Sequence, residues 1–370
     1  MKTVGIATFH NLFNLGAVLQ AYALQHAIAS MGHSCQIIDF LRPSRGTAHQ
    51  MFCMPISKWA VAHNLSVLMT LRSRLEMRAH FKKFRTRHLM TTPDAFPSVE
   101  SLGSPSLNFD IYVTGSDMVW NPSWLEQTYA PVYYLEFVKS GRRVAYAPSF
   151  ACDEIPEKYR ERVAGYLRRF DFLSCREDSG CAIIKKLIGR DSEHVLDPSL
   201  LLSASEYDKV ASAVDLDQSC ILVYPMHKSD ALRDIALKFK KEMSLPIVVI
   251  VPVYLDPREY SYADCVVFTS GPSEFLGWVK KAAFVCTNSF HGTAFSIIYR
   301  KNFLTIAATL GNTRIKSLLD KLEIGDRQVA SADAIKSVGD YLKPMNYEPV
   351  SGLLNEEIKK SMAYLKKALS

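Results

Sequence analysis

The segment Thr287-Asn288-Ser289-Phe290-His291-Gly292-Thr293-Ala294-Phe295 has the residue types and the position that acid–base chemistry on an anion requires. The apolar residues 282–286 before it predict a buried strand, and residues 296–299 continue it as a helix. His291 therefore stands at a strand-to-helix junction, where open α/β sheets bind their ligands. The helix N-terminus offers unpaired N–H groups to an anion, and a histidine there can exchange a proton near neutral pH.

Polar side chains also follow a strand predicted in the first half of the chain. Gly115-Ser116-Asp117, with Trp120-Asn121 close behind, comes after residues 110–114. The Asp117 carboxylate has the chemistry of a base toward a sugar hydroxyl. A helix N-cap is the structural alternative for Ser116 or Asp117.

A single arginine follows another strand, which is predicted at residues 172–175. Arg176 suits a carboxylate or a phosphate because a guanidinium binds either group through two parallel hydrogen bonds. The structural alternative is an ion pair with Asp178 or Glu177. The sequence leaves both interpretations open.

The first strand–helix loop, His10-Asn11-Leu12-Phe13-Asn14-Leu15-Gly16-Ala17, carries a further set of polar groups. The side chains of Asn14 and Gln20 donate or accept hydrogen bonds, and Gly16 permits close approach of the backbone to a ligand. The loop lacks the G-x-G-x-x-G spacing of a dinucleotide site. A turn followed by a helix cap is the structural alternative, and spacing alone does not decide.

Alternating strand and helix patterns position these loops and predict an α/β fold. A strand at residues 3–9, a helix at 17–30 and a strand at 36–40 form a βαβ unit, which implies a parallel sheet. The same alternation returns from residue 220 onward. We predict two Rossmann-like domains facing each other across a cleft, with a C-terminal helix packing back on the first domain. The predicted limits are 1–200, 201–345 and 346–370.

Residues 41–105 interrupt this alternation and are predicted as a basic helical insertion in the first domain. Residues 60–89 have a helical pattern and contain the following cations: Arg72, Arg74, Arg78, Lys82, Lys83, Arg85 and Arg87. In one interpretation the helix covers the sheet and presents a solvated basic face. In the other, its cations contact an anionic membrane or a lipid pyrophosphate.

Composition places the chain among globular proteins. Its 370 residues are 48% hydrophobic and 22% charged, and the net charge of +7 favours anionic substrates or an acidic membrane face. The eight cysteines form no C-x-x-C pair, which predicts reduced thiols. No signal-peptide pattern and no run of ~18 apolar residues occurs. We therefore expect a cytoplasmic protein that contacts at most the inner face of the membrane.

Taken together in their order, these loops resemble the polysaccharide pyruvyl transferase family over residues ~3–325. Each segment is a weak signal alone, whereas the ordered set is specific. The matching segments are Asn14-Leu15-Gly16-Ala17-Val18-Leu19-Gln20-Ala21-Tyr22-Ala23-Leu24, Val113-Thr114-Gly115-Ser116-Asp117-Met118-Val119-Trp120-Asn121, Tyr146-Ala147-Pro148-Ser149-Phe150, Ser174-Cys175-Arg176-Glu177, Leu196-Asp197-Pro198-Ser199 and Thr287-Asn288-Ser289-Phe290-His291-Gly292.

The resemblance implies a fold similar to the two-domain GT-B glycosyltransferases, with the acceptor on the first domain and the donor on the second. It implies phosphoenolpyruvate as donor and co-substrate, no other cofactor, no metal, and a ketal as product. The implied acceptor is a galactose-type or N-acetylhexosamine sugar, bridged at its 4- and 6-hydroxyls, on a lipid-pyrophosphate carrier of a capsule or cell-wall polysaccharide.

The site residues that follow from the pattern and the resemblance fall into two groups. The catalytic candidates are His291, as acid or phosphate ligand, Arg176, as anion clamp, and Asp117, as base or hydroxyl ligand. The substrate-binding candidates are Asn14, Gly16, Gln20, Ser116, Trp120, Asn121, Asn288, Ser289, Gly292, Thr293, Arg314 and Lys316.

One position departs from the family pattern. Some members carry Arg-Leu-His where this chain has Ser289-Phe290-His291, so the histidine is kept and the arginine is missing. Another cation must then bind the donor, and Arg176, Arg314 and Lys316 are the candidates. Two rival functions remain, a GT-B glycosyltransferase that uses a nucleotide sugar and a non-catalytic glycan-binding protein, because a fold alone does not decide function.

Overall fold

Two parallel β-sheets, one in each half of the chain, carry the loops singled out in the sequence. They are seen in a computed structural model that describes residues 1–42, 67–252, 256–306 and 313–370, together with Met54, Val61 and Asn64. The first sheet consists of β1 (Thr3–Ala7), β2 (Ser34–Phe40), β3 (Thr91–Phe96), β4 (Ile111–Thr114) and β5 (Arg142–Ala145). Their order is β3-β2-β1-β4-β5, and every pairing is parallel.

The described helices of this half are α1 (Leu15–Ser30), α2 (Leu71–His88), α3 (Arg160–Leu167) and α4 (Asp178–Ile188). Helix α1 connects β1 to β2 and is buried on almost every side. Such a helix must be covered by further structure, because an apolar surface all round cannot face water. It is covered by the turn Pro198–Leu201 and by the second half of the chain.

Strand β3 corrects the prediction that residues 41–105 form only a helical insertion. Residues 91–96 pair with β2 at the edge of the first sheet. Pro93 and Asp94 hide the strand from pattern analysis, since both residue types are rare in strands. They are tolerated here because an edge strand needs hydrogen bonds on one side only.

A two-stranded sheet of β6 (Ser174–Cys175) and β7 (Glu193–His194) continues the first half. A parallel bridge between Val144 and Phe172 links it to β5. Its strands therefore end at the same edge as β4 and β5. The segments after β4, β6 and β7 are brought side by side in this way.

The second sheet consists of β8 (Cys220–Tyr224), β9 (Ile247–Ile250), β10 (Cys265–Val267), β11 (Ala282–Thr287), β12 (Asn302–Ile306) and β13 (Gln328–Val329). Its order is β10-β9-β8-β11-β12-β13, again parallel. The described helices are α5 (Ala204–Asp208), α6 (Asp230–Met243), α7 (Pro272–Lys281), α8 (Phe290–Ile298), α9 (Thr313–Lys321), α10 (Val338–Leu342) and α11 (Tyr347–Leu369). The predicted fold class, α/β with two Rossmann-like sheets, is confirmed.

Helix α11 returns to the first sheet, as predicted. The Tyr364 hydroxyl donates to the carbonyl of Ala145 at 2.9 Å, and the backbone N–H of Leu196 donates to Ser361 Oγ at 2.9 Å. The helix begins at Tyr347, and the Asn346 side chain caps it by accepting from the Glu348 N–H at 3.1 Å. The domain limits at residues 200 and 345 stay a prediction.

Two further findings concern the described residues as a whole. None of the helices in the described ranges has the length and apolar character needed to cross a membrane. The cysteines in those ranges are all free thiols, and Cys53 lies outside them. Most of the stretch 43–66, where the basic insertion was predicted to begin, also lies outside the described residues.

Candidate active site at the contact between the two halves

Asp197, three residues after β7, is the centre of a buried polar cluster. Its fully buried carboxylate accepts hydrogen bonds from Arg176 Nη1 at 2.6 Å and from Ser116 Oγ at 2.7 Å. It also accepts from Oγ of Ser199 at 2.6 Å and from its backbone N–H at 2.9 Å. Burial acts to raise the pKa of Asp197, but the charges of Arg176 and His291 and these hydrogen bonds lower it to about 2. The carboxylate is therefore ionised at neutral pH.

Arg176 directly follows β6, and only 1% of its side chain is exposed. Its Nη2 lies 3.8 Å from Asp117 Oδ1, and its guanidinium carbon lies 4.4 Å from the ring centre of Phe290. The ion partner is thus Asp197, not the Asp178 of the structural alternative, which pairs with His194. Nε and Nη2 of Arg176 are buried without a hydrogen-bond partner among the described residues. Two donors are therefore left for a ligand.

His291 lies in the first turn of α8, and its Nε2 is 3.8 Å from Asp197 Oδ1. Nε2 is buried and has no hydrogen-bond partner within the described ranges. Burial lowers the pKa of His291, Asp197 and Asp117 oppose this effect, and Arg176 adds to it. The free protein therefore holds a neutral imidazole at pH 7, which can take up a proton when an anion arrives.

Gly16, in the first turn of α1, determines where the imidazole of His291 can lie. A Cβ added at Gly16 would be only 2.0 Å from His291 Nδ1. The first half of the chain therefore packs its backbone directly on the histidine of the second half. Asn14, the N-cap of α1, accepts a hydrogen bond from the backbone N–H of Ala17 at 3.0 Å and fixes the start of the helix.

The structure separates Arg314 from Lys316, although both lie near the start of α9. Arg314 Nε is buried with no hydrogen-bond partner in the described part of the chain. Burial and the charge of Arg176 lower the pKa of Arg314 to about 10, while Glu177 acts in the opposite direction. Lys316 is exposed and pairs with Asp320 on the surface. Of these two cations, only Arg314 faces the cluster.

Asp117 adopts a backbone conformation that few side chains tolerate, with φ of 74°. Its carbonyl accepts from the Ser149 N–H at 2.9 Å, and its Oδ1 accepts from the Met118 N–H at 2.8 Å. Ala147, in the neighbouring loop, also has a positive φ, of 55°. Strained backbone of this kind concentrates at functional sites. The loops after β4 and β5 are therefore held in fixed, strained positions beside Arg176.

Glu177 supports the second of these loops. Its Oε1 accepts from Ser149 Oγ and from the Phe150 N–H, both at 2.9 Å, while Oε2 is buried and has no hydrogen-bond partner among the described residues. Burial raises the pKa of Glu177, and Arg176 and Arg314 counteract that effect.

Sequence reasoning left Asp197, Glu177 and Phe290 out of the site. All three lie in segments that carry the family resemblance. Asp197 also follows a strand, which is the signal that singled out Asp117 and Arg176.

Three candidates of the first half lie outside this cluster. Gln20 Nε2 donates to Thr8 Oγ1 at 2.9 Å in the core, and the Trp120 indole N–H donates to the carbonyl of Tyr133 at 2.9 Å. Asn121 Nδ2 donates to the carbonyl of Phe150 at 2.9 Å. These contacts hold the loops after β1, β4 and β5 in place, and a contact of these residues with substrate stays a prediction.

Most candidates around His291 shape its turn. Ser289 is the N-cap of α8 and accepts from the Gly292 N–H at 3.2 Å, and Thr293 Oγ1 donates back to the Ser289 carbonyl at 3.0 Å. A Cβ at Gly292 would lie 2.3 Å from Thr287 Oγ1. Asn288 Oδ1 accepts from the Met226 N–H at 2.6 Å. The structure therefore ties the loop after β8 to the turn that carries His291.

The fold and the cluster define an α/β protein of the GT-B type, with polar side chains gathered where its two sheets meet. The UDP-GlcNAc 2-epimerase from Methanocaldococcus jannaschii is 11% identical, with a TM-score of 0.50 over 98% of this chain and 99% of that one. The UDP-GlcNAc 2-epimerase from Neisseria meningitidis, solved with UDP-GlcNAc, is 10% identical, with a TM-score of 0.50 over 98% and 99%. Identities this low show similarity of fold alone.

The chain belongs to the polysaccharide pyruvyl transferase family. The sequence model of that family, "Polysaccharide pyruvyl transferase", matches residues 14–308, well over half of the chain. This match confirms the family inferred from the ordered motifs. Comparison with curated proteins finds no match.

Proposed function

We propose that this protein transfers the pyruvyl group of phosphoenolpyruvate to two hydroxyls of a sugar, forming a ketal and releasing phosphate. The observation that carries the proposal is the convergence around His291 of buried donor atoms of Arg176 and Arg314 that have no hydrogen-bond partner among the described residues. Arg176 and Arg314 lie close enough for the charge of one to act on the other, and together they suit an anion that carries more than one charge, although Asp197 already balances Arg176. Phosphoenolpyruvate, with a carboxylate and a phosphate, is such an anion, and the family of this chain transfers pyruvyl groups.

In this proposal Arg176 and Arg314 divide the two anionic groups of the donor. Arg176 keeps one edge on Asp197 and offers Nε and Nη2 to the ligand. Arg314 supplies the cation that some family members carry at the position of Ser289. A guanidinium bound to a carboxylate or phosphate forms short, charge-assisted hydrogen bonds, which are about twice as strong as neutral ones.

The chemistry needs one acid and one base, and no redox step. A proton is added to C3 of phosphoenolpyruvate, and C2 becomes an oxocarbenium-like centre that the first sugar hydroxyl attacks as it loses its proton. The bond between C2 and the phosphate oxygen then breaks, and phosphate leaves with that electron pair. The second hydroxyl adds to C2 and loses its proton, which closes the ketal. Phosphoenolpyruvate acts as co-substrate, and no other cofactor is required.

His291 is the proposed acid, and its neutral imidazole must take up a proton from solution when the donor binds. A multiply charged anion beside the imidazole raises the pKa of His291. Binding of phosphoenolpyruvate above the original pKa should therefore take up a proton. Titration calorimetry in two buffers of different ionisation enthalpy measures that uptake. Equal enthalpies in the two buffers would remove His291 as the acid.

Asp117 is the proposed base or hydroxyl ligand on the acceptor side. Its carboxylate lies beside Arg176 at the carboxyl end of β4. We propose a galactose-type or N-acetylhexosamine acceptor, bridged at its 4- and 6-hydroxyls and carried on a lipid pyrophosphate.

One structural feature disfavours the rival function of a nucleotide-sugar transferase. Met77 and Phe81 of α2 pack over the carboxyl ends of β8 and β9, the crevice where open α/β sheets receive nucleotides. Among the described residues, the cavity left there, beside Tyr224 and Ile250, has a volume of about 10 Å³, which is room for one water. The rival predicts that UDP or GDP raises Tm, whereas our proposal predicts that phosphoenolpyruvate does so.

The decisive experiment incubates the protein with phosphoenolpyruvate and a panel of nitrophenyl and lipid-linked glycosides. We expect release of inorganic phosphate and a product heavier by one pyruvylidene group in mass spectrometry. The His291→Asn variant should be slower by about 10²–10⁴-fold, the contribution typical of a positioned acid. Sugar binding without phosphate release would favour the non-catalytic glycan-binding protein instead.

A further inference from the structure

Helix α2 divides its cations between two faces. Arg74 is buried and lies 5.2 Å from the ring centre of Phe268, and Arg78 lies 4.7 Å from that of Phe13. These arginines therefore pack inward, toward the loops of both halves. Arg72, Lys82, Lys83 and Arg87 are instead exposed on the opposite side. Arg74 and Arg78 therefore do not belong to the solvated basic face that the sequence allowed.

The exposed side of this region also carries large apolar side chains. Leu68 and Met69, just before α2, are 57% and 71% exposed, and Leu75 is 52% exposed. Arg72 and Leu75 are three residues apart in α2, so they project from one side of that helix. Leu68 and Met69 directly precede it in the chain. Leu68, Met69 and Leu75, together with the four outward cations, are called the outer face below. Glu76 is an exposed acidic residue on the same side.

We propose that the outer face docks on an anionic lipid bilayer. Exposed leucine and methionine beside lysine and arginine are typical of helices that lie in the plane of a membrane interface. The outer face has four cations against the carboxylate of Glu76, so its charge complements the acidic surface of such a bilayer. Scattered single apolar residues are common on protein surfaces, and the proposal rests on the occurrence of these three beside four exposed cations.

The position of α2 would place a docked bilayer near the active site. The link from bilayer docking to catalysis rests on the proposed function, whereas docking itself does not. The inward side of the helix packs Met77 and Phe81 against Asn14 and Leu15, at the start of the helix that contacts His291. A bilayer held by the outer face would therefore lie on the far side of α2 from the active site. A lipid-linked sugar anchored there would need to extend past only one helix to reach the cluster.

The test measures sedimentation of the full chain with vesicles and uses no phosphoenolpyruvate. We expect binding to mixed phosphatidylcholine and phosphatidylglycerol vesicles at low salt, and little binding to phosphatidylcholine alone. The variant Lys82→Gln/Lys83→Gln should bind the mixed vesicles about 30-fold more weakly, from the loss of two cations near the surface. The matched control, Lys366→Gln/Lys367→Gln, removes an equally exposed lysine pair from α11 and should bind as the wild type does.

A second pair of variants tests the apolar part of the outer face. Leu68→Ser/Leu75→Ser should weaken vesicle binding and leave its salt dependence unchanged, whereas Met90→Ser, at an exposed methionine beyond α2, should have no effect. Equal losses in the lysine pair and its control, or equal binding to neutral and anionic vesicles, would overturn the proposal. Turnover of a soluble glycoside should be normal in Lys82→Gln/Lys83→Gln, so failure of the proposed reaction would be seen separately.

Discussion

Two groups of cations, those of the candidate active site and those of the outer face, differ in how far they are exposed to water. Arg176 and the Nε atom of Arg314 are buried, and Asp197 balances Arg176. Both arginines have buried donor atoms without a hydrogen-bond partner in the described part of the chain. The cations of the outer face, such as Lys82 and Lys83, lie in water. Position relative to the sheets, and not the number of cations, separates the regions, because the interior cations follow strand ends and the others lie on one exposed helix.

The difference determines how each region can bind an anion. A buried cation has already lost its water, so its attraction to a single well-placed anion is strong. Without such an anion the buried charge is destabilising. Exposed cations are screened beyond about 10 Å at 0.1 M salt, so they act additively and lose strength as salt rises. The first region is built for one small ligand, and the second suits a broad, charged surface.

The largest effect is expected from Asp197→Asn, which leaves the buried charge of Arg176 without its counterion. Removing one partner of a buried ion pair typically lowers the free energy of unfolding by about 3–5 kcal/mol. Asp320→Asn removes the partner of Lys316 in an exposed pair and should cost at most about 1 kcal/mol. Urea titration of both variants measures the two values, and similar losses would mean that the cluster is not electrostatically special.

The second prediction compares two cations near the start of one helix. Arg314→Met should weaken phosphoenolpyruvate binding by about 10–100-fold, which corresponds to the 1.5–3 kcal/mol of a hydrogen bond to a charged group. Lys316→Met, two residues further along α9, should leave the Kd unchanged because its ammonium group faces water. Calorimetric titration gives both constants. Equal losses of affinity in the two variants would mean that the net charge of the surface, and not a specific contact with Arg314, attracts phosphoenolpyruvate.

These pairs also show what the sequence could and could not predict. The strand ends identified Asp117 and Arg176 in the first half and His291 in the second, and the prediction of two domains facing each other across a cleft brought them together. The choice between Arg314 and Lys316 depends on the direction in which α9 presents each side chain to the first half, and local spacing carries no such information.

The same limit applies to the other misassigned features. Asp197 follows a strand, as Asp117 and Arg176 do, but its central position depends on tertiary contacts with Arg176 and Ser116 that its local sequence does not reveal. Strand β3 escaped because tertiary pairing with β2 overrides a proline and an aspartate.

The third prediction tests the contact between the two halves with matched glycine substitutions. Gly16→Ala should displace the His291 ring and lower the free energy of unfolding by about 1–3 kcal/mol, the usual cost of overpacking. Gly165→Ala, in α3, meets no atom within 4 Å and should raise that free energy by about 0.4–1 kcal/mol. Thermal unfolding should therefore show a lower Tm for Gly16→Ala and a higher Tm for Gly165→Ala than for the wild type. Phosphate release should fall only in Gly16→Ala, and normal turnover there would mean that the position of the imidazole is unimportant.

The smallest effect concerns the pH dependence of stability. Burial lowers the pKa of His291 in the folded protein, so the unfolded chain binds the proton more readily. Stability from this group is therefore complete above the unfolded pKa of about 6.5 and is lost as the pH falls below it toward the folded pKa. Asp197, with a folded pKa of about 2, loses its contribution only below about pH 4. His291→Gln should therefore flatten the stability curve just below pH 6.5. It should also make the loss below about pH 4 smaller, because the charge of His291 helps to lower the pKa of Asp197. An unaltered slope below pH 6.5 would show that Asp197 keeps the imidazole of His291 protonated in the folded protein. Any proton taken up on binding of phosphoenolpyruvate would then bind to a group other than His291.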